Sequence, residues 1–416
     1  MNVRSTLENT VSVVGLGYVG LPLALSAAEA GWNVQGIDIN QLMIDDLKVG
    51  KTHIRTVSDL ELQRALDSEK INFFTNFNVI ENSKIIILCI PTPLDIHGNP
   101  ELSHLNSAIL AITPYLKNNS LIITESTSYP GTLRNLIVKP ILKSHLSSGK
   151  KFYFAVAPER VNPGDGEWTN KNTPRIVAGL DSDSTSMVKD FYETICDTVI
   201  ASEFPEEVEA AKLLENAFRF VNISFINEFA RICNSKGLSS KNILEMASTK
   251  PYGFMKFNPG IGAGGHCIPV DPVYFSTWAR ESNEISEILE LSISINKEVP
   301  RRVFSKAMDL LASSPSKPTV LIVGMSYKPG VSDLRESPSV LIAELLINNG
   351  VKVIWHDPLV DEWNQSRSSP IDSGCDLIIF ALKQLDLDIE YLAKTRISIL
   401  NCTNFNFGGD NVISFL

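Results

Sequence analysis

Cys267 stands near the end of the run Gly264-Gly265-His266-Cys267-Ile268-Pro269-Val270-Asp271-Pro272. A thiol beside two glycines has few side chains to shield it, so a substrate can reach it. A lone cysteine is more often a small buried core residue; against that reading stands a glycine-rich setting away from any apolar run. Asp271 follows four residues later. Lys212 and Asn216 are spaced i, i+4, which puts an ammonium and an amide on one face of a helix, although a solvated helix face also accounts for the lysine. A second pattern is Gly15-Leu16-Gly17-Tyr18-Val19-Gly20, a G-x-G-x-x-G string between a strand and a helix. Its first glycine makes the tight turn, its second admits a pyrophosphate to the backbone, and its third lets helix pack on strand. The helix N-terminus then offers partial positive charge to phosphates. Asp38, about 20 residues on, would accept from an adenosine ribose and repel a 2′-phosphate, which favours NAD over NADP. A strand-turn-helix with no ligand is the competing reading.

These groups need a scaffold. Val11–Val14, Val34–Ile37, Ile85–Ile90, Leu121–Thr124, Phe152–Val156 and Arg175–Ala178 read as short apolar strands, with helices at Leu21–Ala30 and Gln41–Lys48 between them. Strands alternating with helices predict a parallel sheet wrapped on both faces. The pattern changes near Pro205. Glu206–Lys236 is one long helical stretch with apolar positions at Val208, Ala211, Leu214, Ala217 and Phe218, and Lys241–Ala247 a second helix. Lys250–Pro272 then holds five glycines and four prolines in 23 residues, too many for a regular element and more in keeping with a functional loop. Helical periodicity resumes from Asn283 to Leu311, and Ser313-Ser314-Pro315-Ser316-Lys317-Pro318 reads as a linker. Strands at Thr319–Val323, Val351–Trp355, Leu377–Leu382 and Ile397–Leu400, with a helix at Ser337–Asn348, repeat the first pattern. The expected fold is α/β: two doubly wound Rossmann-like domains, at residues 1–204 and 313–416, joined by a central helical segment at 205–312.

Composition sets limits. The 416 residues are 44% hydrophobic and 20% charged, the range of globular chains rather than disordered ones. A net charge of −10 argues against a nucleic-acid partner, which calls for a basic footprint. Val11–Ala30 carries one charge, Glu29, and has nearly the length of a membrane span, but Gly15, Gly17, Gly20 and Pro22 break it. One arginine (Arg4) offset by Glu8 makes a poor signal-peptide start. No membrane association is expected. Six cysteines scattered without a CxxC pair suit a reduced, cytoplasmic protein. His53, His97, His104 and His145 show no metal-ligand spacing, so no metal is expected.

The Cys267 loop, taken with Glu209-Ala210-Ala211-Lys212-Leu213-Leu214-Glu215-Asn216-Ala217-Phe218, resembles the UDP-glucose/GDP-mannose dehydrogenase family. The likeness spans nearly the whole chain. It includes Pro91-Thr92-Pro93, Glu125-Ser126-Thr127, Ala157-Pro158-Glu159-Arg160, Asn227-Glu228, and Tyr327-Lys328 through Asp333-Leu334-Arg335-Glu336-Ser337-Pro338. The resemblance implies oxidation of C6 of a nucleotide sugar from alcohol to carboxylate, with two NAD and one cysteine, the aldehyde never leaving. An aldehyde must gain oxygen or sulfur before it can yield a second hydride, so a Cys267 thiolate would form a thiohemiacetal and then a thioester.

By the same resemblance, Lys212 and Asn216 steady the developing oxyanion, and the lysine charge favours the thiolate. Asp271, Thr127 and Glu159 hold water and move protons. Thr92, Thr127 and Arg335 join Gly15, Gly17, Tyr18, Val19, Gly20 and Asp38 at NAD. Glu159, Arg160, Lys212, Asn216, Phe257, Asn258, Gly260, Gly264 and Lys328 contact the UDP-sugar, in a cleft between the end domains whose closure gates water. The central helices form a homodimer. Two departures from glucose-specific relatives stand out. Pro163 replaces a second glutamate, leaving its proton transfers to Glu159 or to a water chain on Thr127 and Lys212. Val270 replaces a lysine that contacts the cofactor. These changes resemble the UDP-N-acetylhexosamine subgroup, and Lys250-Pro251-Tyr252-Gly253-Phe254-Met255 leans toward UDP-N-acetylglucosamine, with UDP-glucose, UDP-N-acetylmannosamine and GDP-mannose as alternatives. A two-electron hydroxyacid-type dehydrogenase would need neither Cys267 nor residues 319–416. A non-catalytic NAD or sugar-nucleotide sensor would need none of the chemical groups.

Overall fold

The computed structural model describes residues 9–161, 167–313, 317–385, 387, 389–408 and 410–416. Arg4, Glu8, Pro163 and residues 314–316 of the expected linker lie outside them. The chain divides into two compact units, Met1–Glu215 with Val273–Ser282, and Asn216–Pro272 with Asn283–Leu416.

In the first unit the strands are β1 (Thr10–Val14), β2 (Asn33–Ile37), β3 (Ile71–Phe74), β4 (Ile85–Leu88), β5 (Ser120–Thr124), β6 (Phe152–Val156), β7 (Arg175–Gly179) and β8 (Val199–Ala201). The helices among them are α1 (Gly20–Glu29), α2 (Gln41–Lys48), α3 (Asp59–Asp67), α4 (Ser103–Ile112), α5 (Lys139–Ser144) and α6 (Ser182–Tyr192). One sheet runs β3-β2-β1-β4-β5-β6-β7-β8. The apolar runs of β1, β4 and β5 are buried at every residue, because helices cover both faces of the sheet; separate apolar clusters form on its two sides. The expected parallel series holds through β6 and then reverses. β7 pairs antiparallel with β6, and β8 runs parallel to β7. A parallel return needs a crossover of a dozen or more residues, usually helical; the described residues between β6 and β7 contain no helix.

The helices that follow are α7 (Pro205–Ser235), α8 (Ser240–Ser248), α9 (Asp271–Glu281) and α10 (Glu287–Leu311). Along α7, Val208 and Ala217 are buried as their periodicity predicts, but Leu214 and Phe218 are exposed while Leu213 and Phe220 are buried. In the second unit, β9 (Thr319–Val323), α11 (Pro338–Asn348), β10 (Lys352–His356), the two-residue pair β11 (Glu362–Trp363) and β12 (Ser366–Arg367), β13 (Leu377–Phe380), α12 (Glu390–Lys394), β14 (Ser398–Asn401) and β15 (Val412–Ser414) complete the chain. A five-stranded parallel sheet runs β10-β9-β13-β14-β15. It too has an apolar cluster on each face. Among the described residues, no helix is long and apolar enough to cross a membrane.

Candidate active site

The turn from β1 to α1 is shaped by glycine. Gly15 has φ +90°, and a Cβ there would overlap the Cys89 carbonyl oxygen; a Cβ on Gly17 would meet nothing within 4 Å. The open space lies where a pyrophosphate must approach the backbone. Helix α1 begins without a side-chain cap and without an acidic residue in its first turn, so no side-chain anion competes for its positive end. These residues fit a dinucleotide. Asp38, just past β2, accepts from Leu16 N at 2.9 Å and from Asn40 N at 3.0 Å. Each of its oxygens keeps a further lone pair. His53 sits against the same corner and goes unmarked by sequence spacing; burial lowers its pKa, against hydrogen bonding to the Leu16 backbone and the pull of Asp38.

Thr92 and Thr127 follow β4 and β5, so they lie with Gly15–Gly20 at the carboxyl ends of adjacent parallel strands. Thr92 Oγ1 donates to Thr127 O at 2.8 Å, and Tyr274 OH donates to the carbonyls of Thr92 and Pro93. A small pocket brings Thr127 together with Lys212 and with Glu209, which the sequence motif includes but to which it assigns no site role. Glu209 is 4% exposed and accepts from Gly131 N at 2.7 Å and Leu133 N at 3.0 Å. Burial nevertheless raises its pKa to about 7, the two N–H groups pulling the other way. Its signal in the sequence was a carboxylate one turn before Lys212 on the apolar side of a helix.

Beneath this pocket, Arg175 lies 3.3 Å from the buried Glu125 carboxylate and donates to the carbonyls of Ala157 and Pro158, fixing the segment that bears Glu159. Burial pushes the Glu125 pKa up, with Arg175 opposing. Glu159 accepts from Val161 N. Arg160 is committed to Glu215 at 2.5 Å and to the Pro174 carbonyl at 2.7 Å.

In the second unit the structure joins Asn216, Asp271 and Cys267. Asn216 Nδ2 donates to Asp271 Oδ2, and the N–H groups of Val270 and Asp271 donate to the Cys267 carbonyl at 3.1 and 2.9 Å. Cys267 is unbridged and half-buried. The preceding glycines owe their place to close packing as well as to access. A Cβ on Gly264 or Gly265 would press into Tyr327, and Gly265 has φ +90°. Val270 is buried. Arg335 pairs with Asp333 at 2.6 Å and donates to His266 Nδ1 at 3.1 Å. Burial raises the Asp333 pKa, but the adjoining His266 and Arg335 hold it below the ordinary carboxylate range.

A cavity of about 430 Å³ opens at the carboxyl ends of β9, β13 and β14, where open parallel sheets bind ligands. Asn258 and Gly260 line it, as do Tyr327, Lys383, Thr403, Asn404 and Phe405, none of which sequence spacing singled out as a site residue. Their signal was position directly after an apolar strand. Lys383 Nζ lies 4.5 Å from the Phe405 ring centre. Lys328 Nζ stands 5.7 Å from the Tyr327 ring centre, and Phe257 packs edge-on against Phe218; neither lines the cavity.

The models of the UDP-glucose/GDP-mannose dehydrogenase family match along the chain: the NAD binding domain at residues 9–196, the central domain at 206–298 and the UDP binding domain at 321–394. The chain is 34% identical to UDP-N-acetyl-D-mannosamine dehydrogenase of Methanococcus maripaludis, over 89% of this chain and 84% of that one. It is 35% identical to UDP-N-acetyl-D-glucosamine 6-dehydrogenase of Pseudomonas aeruginosa, over 84% and 83%. A solved UDP-N-acetylmannosamine dehydrogenase from Pyrococcus horikoshii superposes with a TM-score of 0.87 at 29% identity, covering 97% of this chain and 98% of the other.

Proposed function

The chain belongs to the UDP-glucose/GDP-mannose dehydrogenase family, and from that premise we propose that this NAD-dependent enzyme oxidises C6 of a UDP-N-acetylhexosamine to the carboxylate through a thioester on Cys267. Relatives named for the gluco and the manno sugar match at 35% and 34% identity, so both epimers are carried forward.

When bound, NAD accepts one hydride at each of the two oxidations. The chain's own groups do the rest. Gly15–Gly20 and the start of α1 hold the pyrophosphate, Asp38 the ribose, and Thr92, Thr127 and Arg335 complete that site. Tyr327 and the Asn258–Gly262 loop form the sugar-nucleotide wall, with Phe257, Gly264 and Lys328 adjoining it, and Phe405 offers an aromatic face to the base. Glu159 and Arg160 flank the sugar. Lys212 and Asn216, one turn apart on α7, steady the oxygen on C6. Cys267 Sγ adds to the aldehyde carbon to give a thiohemiacetal. After the second oxidation, water displaces the sulfur from the thioester, releasing the carboxylate and restoring the thiol. Asp271 and Thr127 orient that water, and a proton leaves through Glu159 or through water on Thr127 and Lys212.

The observation that carries this reading is the hydrogen-bonded path from Asn216 to Asp271 to the Cys267 backbone. A nucleophile whose loop is locked to its own amide and carboxylate partners suits covalent catalysis better than a core cysteine. We also infer a homodimer through the central helices. Phe218, Phe225 and Ile232 recur every seven residues on α7 and are all exposed, and so are Ile288 and Leu291 on α10; a heptad seam of this kind packs against a partner helix.

The test is an NADH assay over UDP-glucose, UDP-N-acetylglucosamine, UDP-N-acetylgalactosamine, UDP-N-acetylmannosamine and GDP-mannose. Two NADH per sugar are expected, with a UDP-N-acetylhexosamine preferred. One NADH per sugar would overturn the mechanism.

A further inference from the structure

We propose that the second unit carries a separate anion site for a compact phosphorylated ligand, and that its occupancy is transmitted to the loop lining the sugar-nucleotide cavity. The site is a cavity of about 350 Å³ bounded by α7, α10 and residues 414–416. That volume suits a phosphorylated metabolite and is small for a dinucleotide.

Its charge is unbalanced. Arg231 on α7 and Arg302 and Lys306, one turn apart on α10, line it against one acidic side chain, Asp309, and the main-chain carboxylate of Leu416, three cations to two anions. Among the described residues neither Arg302 nor Lys306 has a hydrogen bond or ion pair, and Arg231 has only Glu228 of its own helix, at 3.7 Å. Cations gathered around a cleft hold its potential positive and concentrate anions there, and guanidinium forks match phosphoryl oxygens in pairs.

A second observation is independent of charge. Asn227 lines the same cavity and is 7% exposed. Its Oδ1 accepts from Gly260 N at 2.8 Å, while its buried Nδ2 has no hydrogen-bond partner among the described residues. A buried donor left unsatisfied is costly, and a ligand oxygen in the cavity would satisfy it.

Among the described residues, Gly260 alone lines both this cavity and the larger one. The amide of Asn227 is planar and rigid, so an anion that draws Nδ2 also turns Oδ1 and with it the Gly260 N–H. An effector here would therefore shift the Asn258–Gly262 loop. This coupling rests on that loop being the sugar-nucleotide wall; the anion site itself does not.

The experiment is calorimetric titration of pyrophosphate into the full chain already saturated with UDP and NAD, so that the dinucleotide site at Gly15–Gly20 is also occupied. One further site per chain is expected. Arg302→Gln with Lys306→Gln should weaken pyrophosphate at least tenfold and leave UDP affinity within twofold, the melting temperature confirming the fold. Asn227→Asp keeps an acceptor for Gly260 but replaces the donor by a repelling oxygen, and should weaken pyrophosphate by a similar factor. Saturating pyrophosphate should change UDP affinity at least threefold in the native chain. Glucose 1-phosphate in place of pyrophosphate distinguishes an organic from an inorganic ligand, the tighter of the two marking the source. No second site with UDP bound, or a site indifferent to the double variant, would overturn the proposal, and citrate binding as tightly as pyrophosphate would overturn its phosphoryl chemistry. Failure of UDP itself to bind would instead count against the function proposed above, and pyrophosphate would then be titrated into the UDP-free chain by the same criteria.

Discussion

Asn216 donates its side-chain amide to the Asp271 carboxylate, tying the middle of α7 to the first residue of α9, four residues after Cys267. Asp271 is 1% exposed. Asn216→Ala removes the donor and leaves a buried carboxylate with one partner fewer, a loss of about 1–3 kcal/mol. If the amide also steadies the C6 oxygen, kcat should fall on the order of 10²–10³-fold. Asp271→Asn separates the two effects. It keeps a polar pair of the same shape, so the melting temperature should move less than in Asn216→Ala while turnover still falls. Thermal unfolding and steady-state NADH production on both variants check this.

Cys267→Ser replaces the thiol by a hydroxyl of far higher pKa, which is a poor nucleophile without a dedicated base. The variant should stall after the first oxidation, yielding at most one NADH per sugar, or hold the sugar as an adduct visible by mass spectrometry. Unchanged turnover with two NADH per sugar would remove Cys267 from the mechanism.

Asp38 spends two lone pairs on Leu16 N and Asn40 N, so its charge is fixed at the end of β2. Asp38→Asn keeps one acceptor and removes the charge that repels a 2′-phosphate. The expected outcome is a fall of at least tenfold in the ratio of kcat/KM for NAD to that for NADP, measured with the same sugar.

Much of the site was legible in the sequence where chemistry demands a residue type at a fixed spacing. Gly15, Gly17 and Asp38 stand on a β-turn-α unit whose geometry leaves few alternatives, and Cys267 is marked by its glycines. The reversal at β7 was not legible, because strand direction depends on the connecting segment and not on the apolar run itself. Leu214 and Phe218 share the helical period of buried Val208 and Ala217, and periodicity alone cannot separate a face turned to the core from one left exposed. Glu209 and Asn227 were named within motifs but given no role, because their roles lie in backbone N–H groups distant in sequence, Gly131 and Leu133 for one and Gly260 for the other.

The exposed heptad of Phe218, Phe225 and Ile232 leads to a prediction about assembly. Phe225→Glu places a charge in the seam, where it would be desolvated without a partner. Light scattering should report a dimer for the native chain and a monomer for the variant at micromolar concentration. A variant that remains dimeric would move the interface elsewhere.

Glu209 gives a prediction with a definite sign. Burial raises its pKa from an ordinary 4.5 to about 7. Between those values the unfolded chain has released a proton that the folded chain keeps, so the folded state binds more protons and loses stability as pH rises. The contribution is complete below pH 4.5 and is lost as pH climbs through 7, amounting to about 3 kcal/mol. Glu209→Gln preserves size and one acceptor for Gly131 or Leu133 but cannot titrate. Unfolding free energies measured from pH 4.5 to 8 should show the native chain losing stability relative to the variant across this window. Parallel curves would mean that the carboxylate is already ionised when folded, held by its two N–H donors. Because Glu209 and Lys212 share one pocket with Thr127, ionisation of Glu209 also sets the local charge beside the lysine. The native enzyme should therefore show a step in kcat near pH 7 that Glu209→Gln lacks.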